Sequence, residues 1–474
     1  MKTLSLLAAF AAGALPVPAL AQDMGGMKMP MPAPTQTPAP APSPTPAPPP
    51  APAMPGMDMA PLPTSPTPTP TPTPTPAPMI DMNMQSGAMP GMKMDGPIAY
   101  GEGSGTSRVP GNDGAMVGLH LATGAWMVML HGYALAAYTD QSGPRGGDGL
   151  IAGSMAMLSA ERDFGAAKLS LRSMLSLEPA MGPKGYPNLF ATGETANGVT
   201  PLIDRQHPHD FFMELSARID VPLGSGVSAF LYGGPVAEPA LGPSAFMHRK
   251  SAQYLPLAPI SHHWFDSTHI SFGVITAGLN TANWQFEGSA FRGREPDQKR
   301  WNIETPKLDS WSVRATWTPT PNWSAQLSYG RLESPEALEP GVDEARTTAS
   351  VQYARGGFSA TAGFAAKNRL PGRALTAWFG EANWDLSKHH SLFGRLENVA
   401  NDELFPDPAD PLHDRPFRVT RVEAGYAYRI KLPGPFGLAI GGSGFVTAKP
   451  AALDAAYGKS PLGWTAFAKL SLGN

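Results

Sequence analysis

From about Trp126 to the end of the chain, apolar and polar residues alternate one by one. In "KLSLRSMLSLE", Leu169, Leu171, Leu175 and Leu177 fall on one face, and Lys168, Ser170, Arg172, Ser176 and Glu178 fall on the other. In "FFMELSARIDV", Phe211, Met213, Leu215, Ala217, Ile219 and Val221 oppose Glu214, Ser216, Arg218 and Asp220, and "VEAGYAYRIK" from Val422 repeats the pattern. Period two marks a strand with unlike faces, and helical spacing fits neither run. About sixteen such segments follow one another, many near the roughly ten residues that a tilted membrane strand needs.

The links between segments separate a barrel from a soluble sandwich. Tight ones, at 162–166, 319–322, 355–357 and 432–435, alternate with long ones at 179–206, 234–268, 293–307, 399–416 and 448–462; "NRLPGR" at 368–373 is the weak case. Short turns on one side and long loops on the other predict an all-β fold, an antiparallel transmembrane β-barrel of about 14 to 16 strands in the cell outer membrane, with lipid as its first partner. Trp126 and Tyr138 stand near opposite ends of the first strand's apolar face, as girdle residues would. The end, "FAKLSLGN", lacks the terminal aromatic residue that such barrels usually carry.

The first 21 residues read differently. Lys2, an apolar run from Leu4 to Leu15 and Ala19-Leu20-Ala21 form a secretory signal peptide with its cleavage site. No later stretch of about 18 apolar residues encodes a membrane helix. The expected division is a signal peptide at 1–21, a disordered Met/Pro-rich periplasmic segment at 22–114 and the barrel at 115–474. There is no cysteine, which removes disulfides and thiolate metal sites and leaves methionine as the soft ligand. A formal net charge of −3 without a basic stripe argues against nucleic acid.

Residues 22–97 are dominated by Pro, Ala, Thr and Met and cannot bury enough apolar surface to offset ordering entropy. Within them the spacing Met-x-x-Met-x-Met occurs four times: Met24, Met27 and Met29; Met54, Met57 and Met59; Met79, Met82 and Met84; Met89, Met92 and Met94. Extended polyproline between Met59 and Met79 would span roughly 60 Å, so the clusters are spaced beads. Such methionines could serve as an oxidation sink or a sticky surface, but three thioethers converging on one point form a site for Cu(I). Gly26, Gly56 and Gly91 before the middle methionine would let the backbone turn in three clusters; the fourth has Asp81.

If the short turns face the periplasm, the link after the first strand is external and the leader is periplasmic. Two histidine groups then fall near the external mouth, across the membrane from the leader. "DRQHPHDFF" carries His207, His209 and Asp210, and "SHHWFDSTHI" carries His262, His263, Asp266 and His269. Imidazole with carboxylate suits Cu(II) or Zn²⁺, while the plainer role is anchoring of loops. His131 lies on the polar face of the first strand and should point into the lumen as wall polarity. No G-x-S-x-G elbow, H-E-x-x-H or phosphate loop is present, so no enzyme is expected; a rim hydrolase using His209 with Asp210 lacks a nucleophile.

The leader, on its twelve clustered methionines, resembles that of copper-resistance protein B, an outer-membrane barrel family. The barrel, on "DRQHPHDFF" and "HHWFDSTHISFGV", looks like a group of uncharacterised outer-membrane proteins. The first resemblance implies copper, as Cu(I), for the bound or transported ion, metal resistance or transport as the role, and periplasmic copper proteins as partners. The alternative is a porin-like channel for small polar solutes with the leader as a passive tether.

Overall fold

The computed structural model describes residues 100–114 and 117–473; the expected signal peptide, the twelve clustered methionines and the leader up to residue 99 lie outside them. Sixteen antiparallel strands close into one barrel. In chain order they are β1 (Trp126–Gln141), β2 (Gly147–Phe164), β3 (Ala167–Leu175), β4 (Phe212–Gly224), β5 (Val227–Ala237), β6 (Ser271–Asn280), β7 (Trp284–Phe291) and β8 (Ser310–Thr320). There follow β9 (Trp323–Leu332), β10 (Asp343–Arg355), β11 (Phe358–Leu370), β12 (Ala374–Asp385), β13 (His390–Asn401), β14 (Phe417–Lys431), β15 (Phe436–Ala448) and β16 (Leu462–Leu472). Each strand pairs with its sequence neighbours, and β16 pairs with Gly132–Gln141 of β1 to shut the wall. A short strand, Leu119–Thr123, pairs with Trp126–Leu130 on the same edge of β1 and fills the rest of the seam. Closure leaves no unpaired edge, which a bilayer would penalise.

The links 165–166, 225–226, 281–283, 321–322, 356–357, 386–389 and 432–435 all lie at one end. Those at the other end are 142–146, 176–211, 238–270, 292–309, 333–342, 371–373, 402–416 and 449–461. The alternation read in the sequence is therefore the architecture, with one long link, 333–342, that the sequence reading left unmarked. Gly165, Gly356 and Gly357 have φ between 54° and 83°, the left-handed turn conformation that other residues rarely adopt.

The two faces of the wall follow the alternation. Leu150, Leu171, Leu231, Ile275, Leu327 and Ile440 are exposed on the outside. Trp284, Trp317, Trp323, Phe358, Trp384 and Phe436 ring the short-turn end, and Tyr138, Trp311, Trp378 and Trp464 the other. Along β8, Trp311 and Trp317 are separated by roughly 20 Å of strand. Inside, Arg314, Arg346, Arg395 and Arg421 are buried with Glu287, Glu344, Glu381 and Glu397. An apolar belt between aromatic girdles around a charged interior is the surface of a membrane-spanning barrel.

Two segments occupy the lumen. The link 238–270 turns inward and is held to the wall: Arg249 Nε donates to Glu381 Oε1 at 2.6 Å, Ser261 Oγ to Glu397 Oε1 at 2.7 Å, and Arg314 to the Gly242 carbonyl at 3.0 Å. From the short-turn end comes a hairpin, Tyr100–Glu102 paired with Arg108–Pro110. Asn112 N donates to Pro321 O at 2.9 Å and Arg108 to Thr281 O at 3.1 Å, both acceptors in short turns. Ser104 N reaches Ser244 Oγ at 3.0 Å, so hairpin and link meet. The expectation of disorder up to residue 114 is corrected here. Thr106 donates to Glu287 and accepts from Arg314, and such polar partners in a lumen replace the apolar core that the segment's composition lacks. His131 points inward as expected, its Nδ1 2.6 Å from the Val117 carbonyl.

Candidate metal centre among the long loops

Four links at the long-loop end build one buried polar cluster. The link 176–211 opens on a 3₁₀ turn at Glu178–Met181 and is pinched where Tyr186–Pro187 pairs with Arg205–Gln206. Within this link Glu194 lies against His207, and Glu178 against His209. In the link 238–270, the short helix α1 (His262–Phe265) and the turn after it carry His262, His263 and His269, all buried. The links 292–309 and 333–342 are joined by Glu295 N donating to Pro335 O at 3.0 Å, which places Glu295 beside Glu336.

The two histidine groups of the sequence come together. Ring centroids are 5.9 Å apart for His207 and His209, 5.3 Å for His209 and His269, 5.2 Å for His269 and His262, and 6.2 Å for His262 and His207. Each of these four rings has its Nδ1 on an oxygen: His207 on Glu194 at 2.7 Å, His209 on Glu178 at 2.7 Å, His262 on Asp266 at 2.8 Å, and His269 on the Asp266 carbonyl at 2.6 Å. A carboxylate or carbonyl on one ring nitrogen fixes ring orientation and tautomer, leaving the other nitrogen for a partner.

His263 stands apart from that pattern. Its ring centroid is 5.5 Å from that of His262, and it faces three carboxylates. Its Nδ1 is 3.2 Å from Glu295 Oε1 and 3.7 Å from Glu336 Oε1, and its Nε2 is 3.7 Å from Glu194 Oε1. Ligand atoms of Glu194, His263 and Glu295 all lie within 4.8 Å of one another. Among the described residues neither ring nitrogen of His263 has a partner in hydrogen-bonding geometry, and neither does Glu295 Oε1.

Electrostatics show what such a cluster needs. Burial would raise the Glu194 carboxyl, but His207, Arg300 and His263 outweigh it and hold Glu194 far below the usual carboxylate range. Glu295 is pushed up to about 7, by burial first and then by Glu336 facing it. Burial would neutralise His263, yet Glu295 and Glu336 outweigh it and hold the imidazole well above its ordinary value. Three carboxylates around one imidazole call for positive charge, as a proton or as a bound cation.

Asp210 and Asp266 are engaged by cationic partners. Asp210 is paired with Arg300 at 3.1 Å, and the same guanidinium reaches Glu194 at 3.1 Å. Asp266 accepts from His262, from Phe246 N at 3.0 Å and from Arg249 at 3.3 Å. These contacts tie Asp210 to Arg300 and Asp266 to Arg249 within the links. Glu194, Glu295 and Glu336 were missed in the sequence, because each sits in a different link with no histidine at ligand spacing. The four methionine clusters lie outside the described residues.

No family model and no curated protein matches the chain. The resemblance of the leader to copper-resistance protein B thus has no matching family behind it. Solved structures are similar at low identity. The anion-selective porin from Comamonas acidovorans is 12% identical, over 73% of this chain and 100% of that one, with a TM-score of 0.46. OmpF of Salmonella typhi, in complex with daunomycin, is 8% identical over 74% and 99%, with a TM-score of 0.48. OprB of Pseudomonas putida at high pH is 10% identical over 73% and 94%, with a TM-score of 0.47.

Proposed function

We propose that the chain is an outer-membrane channel for small polar solutes or ions, held shut at rest by its own inturned link and without catalytic activity. The lumen supports this reading: a wall of buried charges is crossed by the link 238–270, which Arg249 ties to Glu381. A charged wall solvates a polar solute along its path, and the apolar belt seats the barrel in lipid. With short turns in the periplasm, the leader is periplasmic as well.

Purified full-length protein in a planar bilayer is expected to conduct in rare or brief events. Arg249→Met deprives both Glu381 and Asp266 of a buried cation and should raise mean conductance several-fold. A barrel that stays silent in both forms would sink the reading.

A second reading, copper handling, is favoured by a specific feature of the lumen. Met155, Met157, Met174 and Met213 are buried together with Val236, Ile270 and Phe272, Met129 and Met247 pack against this cluster, and His131 stands in register with Met157. Thioether with imidazole suits Cu(I), as do the leader's methionine clusters. On this reading the barrel serves copper resistance or transport with periplasmic copper proteins. Cells carrying leucine at all twelve leader methionines should then grow less well in excess copper; unchanged growth removes the leader from any copper role.

A further inference from the structure

We propose that Glu194, His263 and Glu295, with Glu336 beside them, bind one divalent first-row metal cation that staples four loops at the mouth of the barrel. This does not depend on what crosses the barrel.

The geometry carries the inference in three steps. His263 is 6% exposed and has carboxylate oxygens at 3.2 to 3.7 Å, yet neither ring nitrogen makes a hydrogen bond among the described residues. A buried imidazole ringed by carboxylates but without an aligned hydrogen bond is costly unless a proton or a cation engages it. The ring is also seated on purpose-shaped backbone: Gly193 has φ +99°, and a Cβ there would lie 2.6 Å from His263 Cε1. That glycine lets Glu194, the next residue, reach the ring. Finally, donors on a bound zinc sit roughly 3.5 Å apart, so atoms already within 4.8 Å need only a small contraction.

Donor chemistry narrows the ion. One imidazole nitrogen with two or three carboxylate oxygens suits Zn²⁺, Mn²⁺ or Fe²⁺ and is a poor match for Cu(I), which prefers sulfur. The site is therefore distinct in kind from the methionine clusters. The ring of His207, His209, His262 and His269 lies beside it, and these rings meet edge to face or tilted, each Nδ1 already held.

The test uses the full chain folded in detergent, stripped of metal and titrated with Zn²⁺ against a chromophoric chelator. Wild type should hold one Zn²⁺ per chain, and its X-ray absorption spectrum should show one imidazole among oxygen donors. His263→Gln and Glu295→Gln should each weaken binding by about 100-fold. Replacing the exposed pair His389 and His390 by glutamine should leave binding unchanged. Folding is checked by the heat-modifiable mobility of the barrel. If His263→Gln misfolds, Glu295→Gln decides, because Glu295 lies in the link 292–309 and not in the inturned link 238–270. Three outcomes overturn the proposal: no Zn²⁺ retained by folded wild type at micromolar concentration, no loss in folded Glu295→Gln, or a spectrum with three or more imidazoles, which would move the ion into the neighbouring histidine ring.

Discussion

Asp204 has φ 60° and is buried in the link 176–211, where its Oδ1 accepts from Phe190 N at 2.8 Å and its Oδ2 lies 3.6 Å from Arg145. Burial pushes its carboxyl up to about 6, against the hydrogen bond from Phe190 and the charge of Arg145. A raised folded-state value means that the folded link keeps a proton which the unfolded chain gives up near 3.9. The contribution to stability is complete below that point and lost as pH rises through about 6. Amide exchange in 186–206, corrected for its intrinsic rate, should therefore be slower at pH 5 than at pH 8. Asp204→Asn keeps the acceptor, tolerates the left-handed backbone and cannot ionise, so its protection should be level across that range. A slope that persists in the variant would assign the effect to another group. At this scale the sequence exposed part of the cluster. His207 and His263 announce themselves beside other histidines, whereas Glu194, Glu295 and Glu336 become neighbours only when four links fold over one mouth.

At the scale of the element, outward and inward residues have opposite rules. Leu327 in β9 is 59% exposed and lies between Ala315 and Ala349 on the outer face. Leu327→Arg puts a charge against lipid and should cost about 2–4 kcal/mol if it lies near the bilayer centre. Urea unfolding of the barrel from vesicles measures this, and a loss under about 1 kcal/mol would place β9 outside the apolar belt. Strand alternation was legible almost throughout, because each residue's side is fixed by the pleat. Met213 is the instructive exception. Alternation assigns it to the outer face, but the pairing of β3 with β4 shifts register between Met174 and Leu175, and Met213 is buried with Met155 and Met157. A bulge re-aims a side chain without altering the local composition.

For the whole molecule, closure and occlusion are separate matters. The β16–β1 seam joins residues more than 300 positions apart and is completed by Leu119–Thr123. The proposed occlusion rests on Arg249, Ser251 and Ser261 of the link holding to Glu381 and Glu397 of the wall. Glu381 keeps Arg395 at 3.0 Å and Asp266 keeps His262 at 2.8 Å, so losing Arg249 should cost less than the roughly 3–5 kcal/mol of a buried charge left wholly unpaired. The same Arg249→Met variant that should open the channel should therefore also unfold the link 238–270 more readily, seen as faster protease cleavage there with the strands intact. Cleavage at the wild-type rate would mean that the link is held by its apolar contacts instead.

The sequence by itself determined the strands, their two faces, the ends at which the turns lie and the histidines worth examining, because each of these depends on residues adjacent along the chain. Only the tertiary structure decided that residues 100–113 enter the lumen, that one link folds inward, and that one imidazole meets three carboxylates from separate loops. Those outcomes arise from electrostatic and hydrogen-bond partners brought together by ring closure, and pairing across a lumen leaves no periodic trace in the chain.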